Sequence, residues 1–317
     1  MKLSIVIPCF NEEQALGITA QRLKSLCEGW VRQGVIESYE QLYVDDGSSD
    51  GTPRILQEMS ERDPTVRVVL LSRNFGHQAA LLAGLHHATG DAVVSLDADL
   101  QDPPEVIEQM IAKVAEGCDI VYAARSSRET DTFSKRTTAR GYYKLLKRLG
   151  VPLIHDSADF RMITRRVVET LRNFREVNLF LRGMFPMMGF RNCVLYYERQ
   201  QRVAGETKYP LRKMLALAVE GITSFTYVPL RLAFAAGAIL FLVSLLMGLW
   251  VLMAAVVGST IPGWASLALP LYTFSGLQMM LVGMLGEYVG KTYMEVKARP
   301  PYIVDRLLNG PPVGTAL

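Results

Sequence analysis

Ala92-Val93-Val94-Ser95-Leu96-Asp97-Ala98-Asp99 is the stretch that decides the fold. Its apolar run reads as a buried strand, and the run ends in two carboxylates on alternate residues. Side-chain direction repeats every second residue along extended backbone, so Asp97 and Asp99 aim at one point. Two hard oxygen ligands at a strand's end suit Mg2+ or Mn2+ when substrate phosphates complete the coordination sphere. Gln101 adds a neutral oxygen two residues later. The competing reading is a capped strand end that leads through Asp102-Pro103-Pro104-Glu105 into a helix.

Working outward from this run, short apolar segments alternate with helical patterns. Leu3–Pro8, Gln41–Asp45, Val66–Leu71, Ala92–Leu96 and Ile120–Ala124 read as strands, and Glu12–Arg32, Thr52–Arg62, His77–Thr89 and Pro104–Glu116 as the helices between them. Runs this apolar need cover on both faces, which predicts an α/β domain with a mostly parallel sheet. Ligands of such sheets gather beyond the carboxyl ends of the strands. Three polar strand ends fall there: Pro8-Cys9-Phe10-Asn11-Glu12, Asp45-Asp46-Gly47-Ser48-Ser49-Asp50 and Asp97-Ala98-Asp99. Together they predict a nucleotide-sugar crevice, although Asp45–Gly51 alone also fits a turn and helix cap. Neither GxxxxGK[ST] nor GxGxxG is present, so diphosphate must be held by metal and basic side chains. His86 and His87 are adjacent, hence on different helix faces, and read as ordinary histidines. Glu12 and Glu13 also fit solvated charges at a helix start.

With 317 residues the chain has room for one sizeable catalytic domain and something smaller. A net charge of +3 is too near balance to imply nucleic acid. Cys9, Cys27, Cys118 and Cys193 form no CxxC pair, which suggests neither a zinc site nor a disulfide framework and fits a reducing compartment. The start, Met1-Lys2-Leu3-Ser4-Ile5, does not read as a secretory signal.

From Leu232 through Gly286 no Asp, Glu, Lys, Arg or His occurs. Gly258–Gly263 divides this run into 232–257 and 265–286, each long enough for a hydrocarbon core that needs roughly 20 apolar residues. Lys and Arg flank the pair on both outer sides and the intervening loop is uncharged, which predicts a hairpin anchor with both ends in the cytoplasm. Ahead of it, Lys135, Arg136, Arg140, Lys144, Lys147 and Arg148 accompany Tyr142, Leu145, Leu146 and Leu149 at helical spacing, as an interfacial helix requires. A second basic region holds Arg199, Arg202, Lys208, Arg212 and Lys213. The expected layout is a catalytic domain over 1–198 with a basic amphipathic segment near 133–150, a juxtamembrane segment over 199–230, two spans within 231–290, and a tail over 291–317.

These residues resemble the membrane-anchored family 2 glycosyltransferases that load sugars onto polyisoprenyl phosphates, the bacterial bactoprenol glucosyltransferases more than the dolichol-phosphate mannose synthases. The likeness rests on Ser4–Glu13, Val44–Thr52, Arg73-Asn74-Phe75-Gly76, Asp97–Pro103, Ala158-Asp159-Phe160-Arg161, Ala204–Tyr209 and Leu285–Lys291, and covers nearly the whole chain. Phe10 stands where Tyr is commoner, and Ala158 where Gly is frequent. The resemblance implies a GT-A, Rossmann-like fold and a nucleotide site of Pro8, Phe10, Asn11, Glu12, Asp46 and Asp97. It places the metal on Asp97, Asp99 and Gln101. It gives Asp159 the position proposed as catalytic base, with Arg125, Arg136 and Arg202 as phosphate-binding cations of the catalytic site. Arg136, Arg140, Arg202 and Lys208 are the expected contacts to a lipid phosphate.

The implied reaction is an inverting transfer from a nucleotide sugar, UDP-glucose first, to undecaprenyl phosphate at the cytoplasmic face of the inner membrane, for envelope glycan modification. UDP-galactose, an aminoarabinose derivative and GDP-mannose are alternative donors. The expected partners are the lipid bilayer, a second copy of the chain, a downstream flippase and a periplasmic glycosyltransferase. A phosphate monoester's second pKa lies near ~6, so such an acceptor needs no general base at neutral pH, and Asp159 is expected to position rather than deprotonate. A processive synthase would need more spans and a QxxRW motif. A scaffold on an inactive transferase fold would not need Asp97, Asp99 and Gln101.

Overall fold

The computed structural model describes residues 1–125, 157–174, 176, 181–198 and 264–310, with scattered helical positions between 230 and 253. It divides into two compact units, one carrying a sheet and the segment after Ala298, the other carrying the long helix that ends at Lys297.

The sheet is built from β1 (Lys2–Cys9), β2 (Ser38–Asp45), β3 (Val66–Leu71), β4 (Ala92–Ser95), β5 (Ile120–Arg125), β6 (Ser157–Thr164), β7 (Asn192–Tyr197) and β8 (Val304–Leu308), in the order β7-β5-β6-β4-β1-β2-β3-β8. β1 to β4 are mutually parallel, β5 pairs with β7 in parallel, and β6 and β8 enter antiparallel. This is the α/β, mostly parallel sheet that the apolar runs predict. Helices α1 (Leu16–Arg32), α2 (Thr52–Arg62), α3 (His77–His87) and α4 (Val106–Ala115) follow β1 to β4 in turn. Short helices α5 (Arg165–Leu171) and α6 (Leu181–Met187) flank β6 and β7 in sequence.

Alternate residues of the strands feed two layers. Leu3, Ile5, Ile7, Val68 and Val94 share one core with Leu16, Leu23, Trp30, Leu56, Ile107 and Met110 of α1, α2 and α4. On the opposite face α3 lies so close to the sheet that a Cβ on Gly84 would fall 2.2 Å from Val6 Cγ1. Only glycine allows that approach, and it accounts for a helix buried from Ala79 to Leu85.

Two elements differ from the sequence reading. Cys118 and Cys193 form a disulfide with a Cα–Cα separation of 6.1 Å. The β5–β7 pairing, which sets Cys193 beside Val121, brings together two cysteines 75 residues apart, a proximity that local spacing does not reveal. The segment after the expected anchor supplies β8, which pairs with β3.

The expected hairpin is covered only in part by the described residues. Among the described residues no helix is long and apolar enough to cross a membrane. The segment 232–257 falls largely outside the described residues. The segment 265–286 lies within α7 (Trp264–Lys297), a 34-residue helix that continues through Glu287, Lys291 and Glu295. The same helix leaves Leu271, Met279, Met280 and Val282 more than half exposed.

Candidate active site

The crevice beyond the carboxyl ends of β1, β2 and β4 is assembled from loops that clasp one another. After β1, Asn11 takes a left-handed backbone conformation at φ 56. Its Oδ1 accepts from Ser49 N at 2.9 Å, while its own amide donates to Ser48 Oγ at 2.9 Å. Glu12 N donates to Thr52 Oγ1 at 2.9 Å, and Glu13 Oε2 accepts from Gly51 N at 2.8 Å. These bonds tie the first loop to the second, so α1 starts at Leu16 rather than at Glu12. Phe10 stays 47 % exposed at the lip, a free aromatic face.

The second loop is tied in turn to the third. Asp46 accepts from the amides of Phe75 at 2.7 Å and Gly76 at 2.9 Å. Burial pushes its carboxyl up, partly offset by these two amides. Gly47 sits at φ +65 with Arg73 C only 2.4 Å from where a Cβ would stand, so a side chain there would meet backbone. Arg73 stacks over Phe75 at 4.0 Å.

Asp97 and Asp99 lie beyond β4, where Leu100 takes φ 51, a conformation uncommon for a bulky residue and typical of sites that hold strain. Gln101 N donates to Asp99 Oδ1 at 3.1 Å. The antiparallel register that pairs Ser95 with Arg161 places Asp159 across from Asp97 when continued by two residues. Ser95 Oγ secures this by donating to the Asp159 carbonyl.

Asp159 is buried among cations. Its Oδ1 accepts from Arg161 Nη2 at 2.6 Å and Arg182 Nε at 3.1 Å, and its Oδ2 from Arg182 Nη2 at 2.9 Å. His77 Nε2, on the first residue of α3, lies 3.4 Å from Asp159 Oδ2 and 3.9 Å from Asp97 Oδ1. Burial alone would raise Asp159; His77, Arg182 and Arg161 outweigh it and hold the carboxyl well below the usual range. Burial would likewise depress His77, yet Asp159 and Asp97 raise it overall.

The sequence matches the model of glycosyl transferase family 2 over residues 4–172. The chain belongs to glycosyl transferase family 2. It is 46 % identical over 306 residues to the uncharacterized glycosyltransferase YkoT of Bacillus subtilis, covering 96 % of this chain and 91 % of that one. It is 40 % identical over 311 residues to the prophage bactoprenol glucosyl transferase homolog of Escherichia coli, covering 97 % and 99 %. The bactoprenol glucosyl transferase of Shigella phage SfII is 40 % identical over 316 residues, covering 98 % and 100 %. A solved mannosyl-3-phosphoglycerate synthase from Rubrobacter xylanophilus is more remote, with TM-score 0.48 and 19 % identity over 69 % of this chain and 71 % of that one.

For a family 2 glycosyltransferase the donor set invites a divalent ion. Desolvation pushes Asp97 up to about 6, against the pull of His77 and helped by Asp159, Asp102 and Asp99. The Asp97 side chain is nonetheless 46 % exposed, so it remains open to a ligand. A cation would relieve that crowding of carboxylates. Among the described residues no group of three or more His, Cys, Asp or Glu forms a metal site. Asp97 and Asp99 would supply part of the shell, as suits Mg2+ or Mn2+ shared with substrate phosphates. The residues fit such an ion.

The predicted site residues thus divide. Phe10, Asn11, Glu12 and Asp46 lie on the clasped loops; Pro8 is buried in β1 beside Val44. Asp97 and Asp159 are joined by His77, while Asp99 and Gln101 occupy the turn beyond β4. Arg125 ends β5 opposite Tyr197. Arg136, Arg140, Arg202 and Lys208 lie outside the described residues. Sequence reasoning missed His77 and Arg182 and gave Arg161 no role. Arg161 had a signal, as the last residue of the Ala158-Asp159-Phe160-Arg161 motif, and so had His77, which follows the Arg73-Asn74-Phe75-Gly76 motif directly.

Proposed function

We propose that this chain transfers a hexose, glucose from UDP-glucose as the leading case, to a polyisoprenyl phosphate such as undecaprenyl phosphate. The near-full-length likeness to proteins named bactoprenol glucosyl transferase carries this reading. The site residues support it, with Asp97 and Asp99 beyond β4 and His77, Arg161 and Arg182 around Asp159. In the reaction an oxygen of the lipid phosphate attacks the anomeric carbon as the bond to the nucleoside diphosphate breaks. The leaving group takes the electron pair, and the configuration inverts. Asp97 and Asp99 would hold the divalent ion, whose chemistry there is Lewis-acid neutralisation of the diphosphate leaving group. Phe10 offers a stacking face to the base, and the loop fixed by Asp46 shapes the nucleoside pocket.

Asp159 fits a positioning role. Its oxygens accept from Arg161 and Arg182, and the acceptor is already largely dianionic at neutral pH because its second pKa lies near ~6. If kcat of Asp159→Asn fell strongly at pH 6 and recovered at pH 8.5, Asp159 would be a base instead.

The uncharged run from Leu232 to Gly286 and the exposed apolar side chains of α7 support attachment to the bilayer that holds the acceptor, with the catalytic crevice on the cytoplasmic side. The experiment combines the detergent-purified chain, Mg2+ or Mn2+, undecaprenyl phosphate and a panel of nucleotide sugars, and reads lipid product by mass spectrometry. A glycosyl-phospholipid from UDP-glucose is expected. Product from another donor alone would replace the sugar, and no lipid product from any donor would remove the acceptor class.

A further inference from the structure

Arg161 and Arg182 both grip Asp159, but only one of them reaches the crevice. The Arg161 side chain is 3 % exposed and lies over the Phe185 ring at 4.8 Å, whereas Arg182 is 43 % exposed. Arg161 therefore belongs to the packing beneath the site, and Arg182 to its surface.

The mounting of Arg182 is rigid. Its neighbour Leu181 is fully buried and donates its amide to Gln78 Oε1 at 3.2 Å, while Phe185, on the same helix, is 1 % exposed. The two bonds from Nε and Nη2 to the Asp159 carboxylate fix the plane of the guanidinium before any ligand arrives. A planar fork held in place loses little further entropy when it binds an oxyanion. Asp159, Arg161 and Arg182 together carry one excess positive charge, which draws an anion toward the exposed member. The position is also suitable: Asp159 Oδ2 is 3.4 Å from His77 Nε2, itself 3.9 Å from Asp97 Oδ1. An anion on Arg182 would lie beside the sugar of a donor whose diphosphate sits at Asp97.

We propose that Arg182 receives the phosphate of the incoming acceptor, with Asp159 as the residue that aims it. This rests on the function proposed above. The shared chemistry is a phosphate oxyanion, which the donor diphosphate could also offer, so the experiment must separate the two sources.

Initial rates of wild type, Arg182→Gln and Arg182→Lys are measured against polyprenyl phosphate at saturating donor and against donor at saturating acceptor. Binding of UDP with Mn2+ is measured by calorimetry on the same proteins. Loss of a charge-assisted phosphate contact should raise the acceptor KM of Arg182→Gln about ten-fold or more, while donor KM and UDP affinity stay within about two-fold. Arg182→Lys, which keeps the charge but not the fork, should fall between. A lowered kcat with both KM values unchanged would mean that Arg182 acts only through Asp159 and would overturn the proposal. Weakened UDP binding would overturn it too, by assigning Arg182 to the donor. Should Arg182→Gln not fold, the same split in Arg182→Lys decides. Failure of the proposed function reads differently: wild type would then form no lipid product at all.

Discussion

Two buried carboxylates stand at opposite ends of the sheet, each paired with arginine, and only one stands beside Asp97. At the amino ends of the parallel strands, Glu40 is 3 % exposed; Ser4 Oγ and Thr89 N donate to its Oε1, and Thr89 Oγ1 and Arg67 Nη1 to its Oε2. At the carboxyl ends, Asp159 binds Arg161 and Arg182 beside His77. Burial would raise both carboxyls, and the surrounding donors hold both below their ordinary values. The difference lies in the partners. Glu40 is held by two hydroxyls, an amide and the buried Arg67, with the part-exposed Lys2 at 3.5 Å, and it lines a cavity with Arg67, Lys2 and Thr89. Asp159 has a half-exposed arginine and a histidine that reaches toward a second carboxylate. A part-exposed cation is common to both pairs; what sets Asp159 apart is the histidine that links it to Asp97.

The contrast breaks most clearly on activity. Asp159→Ala should lower turnover at least about a thousand-fold, on the order of 4 kcal/mol, because it releases the cations that organise the crevice. It should also cost roughly 3–5 kcal/mol of stability, since it leaves Arg161 buried without its carboxylate. Lipid-product rates and denaturant unfolding on the same preparation would measure both. A variant that unfolds earlier but keeps its rate would make the two pairs equivalent and end the distinction.

Glu40→Ala is the matched change and should share only the second effect. Stranding Arg67 should cost roughly 3–5 kcal/mol in unfolding free energy. The rate per folded molecule should stay within about two-fold of wild type, because Glu40 lies at the sheet end away from the crevice. A specific loss of turnover at full folding would show that the amino end of the sheet is coupled to the site.

Asp159 and Arg161 share one motif, but neither Asp159–Arg182 nor Glu40–Arg67 can be read from the sequence, and the reason is geometrical. β1 to β5 and the helices between them are legible because strands covered on both faces write continuous apolar runs, and the nucleotide loops are legible because their bonds join contiguous motifs. Ser157–Thr164 mixes Asp159, Arg161 and Ser157 with apolar residues and so gives no such run; its identity as β6 comes from pairing with β4 and β5. β7 is half-exposed, and Asp305 and Arg306 interrupt β8. Arg182 is 23 residues from Asp159 on another element, and Arg67 is 27 from Glu40, so pattern alone pairs neither. Asp159 itself emerges only through family likeness, in one motif with Arg161 but without Arg182 or His77.

Acid should sharpen the comparison with the smallest effect. Burial favours the protonated form of Glu40, but Ser4, Thr89 and Arg67 outweigh it and hold the pKa at about 2, against 4.5 for an ordinary glutamate. The unfolded chain therefore takes up this proton first as pH falls. The stabilisation from ionised Glu40 is fully present above the unfolded value and is lost as pH drops from about 4.5 toward 2, a change of about 3 kcal/mol at most. Glu40→Gln removes the charge at every pH, so its deficit against wild type should be constant near neutrality and should shrink across that acid window. Urea midpoints of both proteins at pH 7, 5, 4 and 3 would follow it. A deficit independent of pH would mean that the hydrogen bonds to Glu40 stabilise the fold without regard to its charge, and the likeness to Asp159 would then be one of geometry alone.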